Sequence, residues 1–438
     1  MIRFRFCLLF IVLLTTLGCG PRASKVDTIT AEASGIEIKD LTISVDSSSD
    51  WPWWRGPNGN GISNSESAPV QWSDSTGVLW RSEIPGRGHS SPTVVGNQIF
   101  LATALDAEQQ QMIVAYDRGS GQEAWRTVVH QGGFPSPNQL HRKGTNANGT
   151  VACDGVRVYC AFLNRDSIIS SALDLTGKIV WQQEIGKFNS KFGYAPSPLF
   201  FKSLVVFAGD NQGGGYLAAL DRDSGEIVWR NSRPAIATYS SPAIANVAGR
   251  DQLLISGCNQ VSSYDPSSGE SLWSCPGTAE ASCGTVVWDK ERVFASGGYP
   301  DRNTLCVAAD GSAKAIWSNS TKLYEPSLIL VGEYLYGVTD DGIGLCWEAS
   351  SGKELWKERL GGNFSASPVF CAGHIYVSSD DGHTTVFRSN PQAFELVAKN
   401  KLGDDTYASP TICGGQIFLR VGTRSANSRQ EYLICVGQ

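Results

Sequence analysis

Apolar and polar residues alternate along short runs that Gly, Asp, Asn and Ser interrupt. Alternation with a period of two, bounded by turn residues, predicts half-buried strands. The stretch 346–388 shows the unit most clearly. Residues 366–371 form a small apolar strand started by a Ser-Pro step, and 374–378 pair with it across a Gly-containing turn. Asp381-Gly382 marks a hairpin and 384–387 the third strand. The fourth strand is of the type 353–359, which carries Trp356 after the Ser351-Gly352 turn. One such unit cannot bury both of its faces, so it requires neighbours of its own kind.

The chain supplies them. First strands start at Ser91-Pro92, Gly149-Thr150, Ser197-Pro198, Ser241-Pro242, Gly284-Thr285, Ser327-Leu328, Ser367-Pro368 and Ser409-Pro410, eight in all. Fourth strands carry Trp80, Trp125, Trp181, Trp229, Trp273, Trp317 and Trp356, with Val397-Ala398 in the remaining position. Residues 79–81 are a fourth strand lacking its first three, and 432–436 a third strand lacking its fourth. Joining them predicts an all-β fold: an eight-bladed β-propeller of four-stranded antiparallel blades over 77–438, closed by an N-terminal strand in the C-terminal blade. In the turn before each Trp, Asp117, Asp221 and Asp265 accept turn N–H groups, and a Gly takes a left-handed conformation. The Trp four residues later then folds between blades, hiding about 150–250 Å², worth roughly 4–6 kcal/mol as an upper value.

A length of 438 residues suggests two or three domains, but the repeat overrides that expectation. The 47 Gly, 13 Trp and only 2 Met suit many short strands, and no long amphipathic helix is evident. A net charge of −6 without a Lys/Arg stripe argues against a nucleic-acid partner. A monomer is expected.

The N-terminus has its own logic. Residues 1–19 read as an export signal, with Arg3 and Arg5, an apolar run over 7–17, and Leu17-Gly18-Cys19. The ending resembles the lipobox of bacterial lipoproteins, which implies lipidation at Cys19, although Thr16 stands where that pattern prefers Leu. The location expected is the cell envelope, with a lipid anchor as the membrane contact. Residues 20–50 are polar and read as an unstructured tether. Residues 51–76 form an aromatic lead-in whose Trp51, Trp53 and Trp54 should pack on the main body, a carbohydrate- or partner-binding patch being the alternative.

Cysteines in an exported chain suggest disulfides, but register points elsewhere. Cys306, Cys346 and Cys435 fall where Ala115, Ala172 and Ala219 stand in other copies, and Cys153, Cys371 and Cys413 where Val95 stands. These six read as small buried hydrophobes. Cys275 and Cys283 are close enough in sequence to bridge, and the sequence leaves that pairing open.

The pattern A-x-D-x-x-[ST]-G-x-x-x-W at 115–125 and 219–229 resembles the repeat of quinoprotein-type (PQQ-like) β-propellers. The lead-in W-P-x-W-R-G-P and the run from Arg359-Leu-Gly-Gly to Ala408-Ser409-Pro410 are similar to a bacterial subfamily of largely unassigned function. The resemblance implies the fold strongly and the function weakly. It points two ways. The quinoprotein dehydrogenases hold PQQ and Ca²⁺ on the axis, but this chain has no adjacent cysteines, and neither the Trp that floors the quinone nor a calcium-ligand set can be placed on matching positions. The propeller lipoprotein of the outer-membrane β-barrel assembly machinery engages partners through its surface, and an exported lipoprotein of little more than the propeller resembles it more.

Propeller ligands approach the face where first strands begin. His89, Tyr194, Tyr239, Tyr324, Glu325 and Tyr407 precede first strands of different blades and converge on one axial mouth. The longest connection, 127–148, should hang over it with His130, His141, Arg142 and Lys143. The doublets Asp340-Asp341 and Asp380-Asp381 read as hairpin turns with a spare solvated Asp, not as metal ligands. No catalytic constellation is present. The expectation is therefore an envelope-tethered scaffold or binding module that takes a protein or small ligand at its mouth. The alternative is a PQQ- or carbohydrate-binding protein, extending to a divergent quinoprotein oxidoreductase.

Overall fold

The computed structural model describes residues 26–426 and 428–437. Residues 1–25, which hold the expected export signal and Cys19, lie outside them. Eight four-stranded antiparallel sheets surround one axis. Blade 1 comprises Thr93–Val95, Gln98–Leu105, Gln110–Asp117 and Glu123–Gln131, in spatial order from the axis outward. Blades 2 to 7 repeat that order. Blade 8 takes Thr411–Cys413, Gln416–Arg424 and Arg429–Val436 from the end of the chain and Val78–Ile84 from its beginning. The closure inferred from the two incomplete units is the one observed, with Trp80 opposite Cys435.

The register explains the repeat pattern. Each fourth-strand Trp stands opposite the small buried position of the third strand: Trp125 opposite Ala115, Trp229 opposite Ala219, Trp317 opposite Cys306 and Trp356 opposite Cys346. Its ring then reaches forward to the next blade. Trp80 Nε1 donates to the Arg118 carbonyl at 3.0 Å, Trp125 to Leu175 at 2.9 Å and Trp181 to Arg222 at 3.0 Å. Trp273 is the exception, donating to Gln252 Oε1 at 2.7 Å. The turn glycine is required twice over: Gly225 has φ +77°, and a Cβ there would lie 2.5 Å from the Trp181 ring.

All ten described cysteines are free, so Cys275 and Cys283 form no bridge. Cys153, Cys371 and Cys413 end first strands as Val95 does, and all three are buried.

One expectation is corrected. Residues 26–50 are not an unstructured tether but a belt along the propeller. Ile29 pairs with Arg230 on the outer strand of blade 3. Lys39 N–H then donates to Ser203 Oγ at 2.9 Å and Ser44 N–H to the Asp154 carbonyl at 3.1 Å, beneath blades 3 and 2. The cause is an alternation hidden among polar residues: Ile36 and Ile38 pack on one interblade cluster, Val26 and Ile43 on another.

The lead-in is a plug in the base of the axial channel. Trp51 pairs with Val94 of blade 1, the Pro52 carbonyl accepts from Cys153 of blade 2, and Trp53 meets Phe200 of blade 3 edge-on at 5.7 Å. Arg55 is buried and donates to the Leu328 and Pro368 carbonyls, at 2.7 and 2.8 Å, at the heads of blades 6 and 7.

Candidate functional site at the axial mouth

The Ser or Thr that begins each first strand builds a ring around the axis. Ser91 N–H donates to Thr150 Oγ1 at 3.0 Å, Thr150 N–H to Ser197 Oγ at 3.0 Å, and Ser197 N–H to Ser241 Oγ at 2.9 Å. The ring continues from Thr285 to Ser327, Ser367, Ser409 and back to Ser91, with N···O distances of 2.8–3.0 Å. Thr285 Oγ1 accepts instead from Trp54 Nε1 at 2.8 Å, so the plug is tied into the ring from below.

Above Trp54 opens a cavity of about 200 Å³. Trp54 is its floor, and six of the ring hydroxyl residues line its wall: Ser91, Thr150, Ser197, Ser241, Ser367 and Ser409. Aromatic side chains supply much of the rest. His89 stacks on Tyr407 with centroids 4.8 Å apart, and His141 meets Phe192 edge-on at 5.5 Å. The crossing segments are held blade to blade: His89 N–H donates to the Ala147 carbonyl, Tyr239 N–H to Ser282, and Cys283 N–H to Tyr324.

Of the residues expected at the mouth, His89, His141, Lys143, Tyr239, Tyr324, Glu325 and Tyr407 all line this cavity. Two do not. Tyr194 is buried to one side, packed edge-on against Phe188 at 5.7 Å and bordering a small separate void, while Arg142 points to solvent. The long connection is shorter than expected, because the outer strand of blade 1 continues to Gln131 and carries His130 with it. Its remainder reaches the mouth at His141, Lys143, Gly144 and Asn148. Lys143 Nζ reaches Asp380 Oδ2 at 3.0 Å, Ser365 Oγ at 3.1 Å and Glu325 Oε2 at 3.2 Å.

The acidic doublets are therefore not spare. Asp380 binds Lys143, and Asp340 accepts the Tyr324 and Glu325 N–H groups at 2.9 Å each, fixing the segment that presents both side chains. Trp54, Phe192, Cys283 and Ser365 also face the cavity and were not anticipated.

Electrostatics separate the two sides of the mouth. Burial alone would lower the Lys143 pKa, but Glu325 and Asp380 outweigh it and the pKa is raised. Burial, reinforced by Arg87, Arg420, Arg429 and Lys143, pushes His89 well below the usual imidazole range, so its ring is neutral at pH 7. Burial, with Cys283 and Glu280, raises the Tyr239 phenol, which stays protonated. Among the described residues, His89 Nε2 and the Tyr239 hydroxyl are buried without a hydrogen-bond partner. No group of three or more His, Cys, Asp or Glu among those residues could hold a metal ion.

Fold and mouth together define a class: a closed propeller of PQQ-like repeats with an aromatic cavity on its axis. The chain belongs to the family described as outer membrane protein assembly factor BamB, whose model matches residues 66–190, 109–348 and 344–391. It is 23% identical over 353 residues to the outer membrane protein assembly factor BamB of Burkholderia pseudomallei (strain K96243), covering 71% of this chain and 87% of that protein. It is 20% identical over 341 residues to a tetrathionate hydrolase of Acidithiobacillus ferrooxidans (strain ATCC 23270 / DSM 14882 / CIP 104768 / NCIMB 8455), covering 69% of this chain and 65%, just under two thirds, of that one. Among solved structures, the quinohemoprotein alcohol dehydrogenase of Comamonas testosteroni superposes with a TM-score of 0.66 at 14% identity, covering 90% of this chain and 82% of that one. That likeness is one of fold.

PQQ with calcium is the cofactor pair the wider fold implies, and the side chains present do not fit it. PQQ is a tricarboxylate. The ammonium in the cavity is already shared by Glu325 and Asp380, so it is not free for a PQQ carboxylate, and His89 is neutral; among the described residues no three or more His, Cys, Asp or Glu gather into a metal-binding group.

Proposed function

We propose that the protein is a ligand-binding propeller of the cell envelope that takes a neutral, hydroxyl-bearing ring of the carbohydrate class into its axial mouth. One observation carries this reading. His89 and Tyr239 line one cavity, the His89 Nε2 and the Tyr239 hydroxyl are buried with no partner in the protein, and buried polar groups without partners are costly. A protonated phenol and a neutral imidazole match the hydroxyl groups of an uncharged ligand. The floor of Trp54 and the faces of Tyr324 and Tyr407 suit the apolar face of a sugar ring. The envelope location is supported by the kinship with the outer membrane protein assembly factor. Lipidation at Cys19 is the proposed means of attachment.

The test is calorimetric titration of residues 20–438 with a panel of neutral mono- and oligosaccharides and, in parallel, with PQQ with and without Ca²⁺. Saturable binding of a neutral sugar, weakened at least about tenfold in Tyr239→Phe, supports the reading, because a lost hydrogen bond at a buried site costs about 1.5 kcal/mol. Stoichiometric PQQ binding would assign the mouth to a quinone instead. Binding of neither, together with envelope crosslinks to another protein, would return the chain to the scaffold role that its BamB kinship suggests.

A further inference from the structure

The segment from Gly132 to Gly144 contains no fully buried residue, and its inner end borders the mouth with His141, Lys143 and Gly144, while its outer end is tied to blades 1 and 2 through Gly132 and Gly133. Its inner flank is better rooted: Thr145 and Ala147 are buried, and Asn148 Nδ2 donates to the Tyr194 carbonyl at 3.0 Å. Across the axis its anchor is Lys143, whose ammonium sits among oxygens from blade 6 and blade 7. Those partners are more than 180 positions away in sequence, so the contact closes a large loop over the cavity. A segment held by polar contacts and little apolar burial belongs to the low-stability end of a structure.

We propose that the inner end of this segment, residues 141–144, is a strap at the mouth, that the Lys143 ammonium between Glu325 and Asp380 is its catch, and that the cavity admits ligand when the catch is released. The proposal concerns the regulation of the site assigned above and rests on that reading only for its purpose. The catch is suited to reversible release. The three side chains retain 16–31% of their exposure, so water and salt reach the pair and its strength is that of a partly screened ion pair, about 1 kcal/mol. With the strap down, Lys143 meets both acids and Ser365. With it lifted, Glu325 and Asp380 would present an acidic side of the mouth to solvent.

The protein carries its own reporter. Cys283 lines the cavity and is the one cysteine of the ten described that is not fully buried. Its alkylation by iodoacetamide, a neutral reagent, measures access to the mouth. The thiol pKa is pushed well above its ordinary value by burial and by Glu325 and Asp340, against a lowering by Lys143. Removing the Lys143 charge without moving the strap would therefore leave less thiolate and slow the reaction. Releasing the strap would speed it. The two effects have opposite signs.

The experiment follows alkylation of Cys283 by mass spectrometry in the full chain, in Lys143→Met and in Lys322→Met as a charge control, with Cys283→Ser fixing the background. The strap predicts labelling about fivefold faster in Lys143→Met than in the wild type. It also predicts that raising the salt from about 0.05 to 0.5 M accelerates the wild type but not that variant. Equal or slower labelling in Lys143→Met, or a wild-type rate indifferent to salt, overturns it. The salt arm needs no substitution and holds whether or not any sugar binds, so failure of the ligand reading and failure of the strap are read separately.

Discussion

His130 and His89 are the residues through which this protein should sense acid. Burial and the neighbouring Arg165 lower the His130 pKa to about 4, and its Nε2 is buried without a partner. His89 is also held well below the usual imidazole range, by burial and four surrounding cations. A base whose folded pKa lies below its unfolded value takes up protons on unfolding, so stability is complete above about pH 6.5 and falls as the pH drops toward the folded value. Thermal melts between pH 7.5 and 5 should show a loss on the order of 2 kcal/mol from His130 alone, and His130→Gln should flatten that slope. A slope unchanged in His130→Gln would mean that its ring is not held neutral. At this scale the sequence was informative wherever the repeat supplied a frame. The residues preceding each first strand were legible as mouth residues because every blade returns its chain to the same face, and seven of the nine candidates do line the cavity. Trp54 was not legible as the floor, because the lead-in lies outside the repeat and has no register to place it. Asp340 and Asp380 were read as solvated turn residues because their partners, the Tyr324 and Glu325 amides and Lys143, are supplied by other elements that hairpin chemistry cannot foresee.

The unit of stability at the next scale is the turn glycine of one blade under the tryptophan of the blade before it. Gly225 combines a left-handed φ of +77° with contact to the Trp181 ring, and Asp221 Oδ1 accepts the Asp223 and Ser224 N–H groups at 3.0 and 2.8 Å within the same turn. Gly225→Ala should therefore destabilise by about 2–3 kcal/mol, part from the left-handed backbone and part from displacing the indole. Gly96, also left-handed at φ +57° but with open space around its Cα, should cost only the backbone share when changed to Ala. Equal losses at the two positions, measured by denaturant midpoints, would show that the indole contact contributes nothing. The repeat made strands and turns legible in number, order and pairing, while their ends slipped: the outer strand predicted at 79–81 runs from Val78 to Ile84, and the long connection lost its first residues to the outer strand of blade 1. The belt over 26–50 was missed because its isoleucines alternate among Ser, Thr, Asp and Lys, and polarity outweighed periodicity.

Across the whole molecule, the plug does in thirteen residues what no single blade can. Its residues meet the blades in ring order, with Trp51 on blade 1, Pro52 on blade 2, Trp53 on blade 3, Trp54 on Thr285 of blade 5, Arg55 on blades 6 and 7, and Ser63 on the Ile412 carbonyl of blade 8. A ring of blades that contact mainly their neighbours loses cooperativity when one interface weakens. A segment that touches almost every inner strand couples them. Arg55 is the centre of that coupling. Its guanidinium satisfies the Leu328, Pro368 and Asn60 carbonyls, and Gly61 is needed beside it because a Cβ there would lie 2.5 Å from Nη2. Arg55→Met keeps the apolar stem but leaves buried carbonyls unpaired, which should cost about 3 kcal/mol and lower the melting temperature by a few degrees. The sharper expectation concerns the shape of the transition. With the plug intact, calorimetric and van't Hoff enthalpies should approach each other. In Arg55→Met, the blades on either side of the broken contact should begin to unfold separately, and the ratio should depart from one. A variant that melts lower but as a single sharp transition would show that Arg55 stabilises its own neighbourhood and that cooperativity comes from the closure of blade 8 alone.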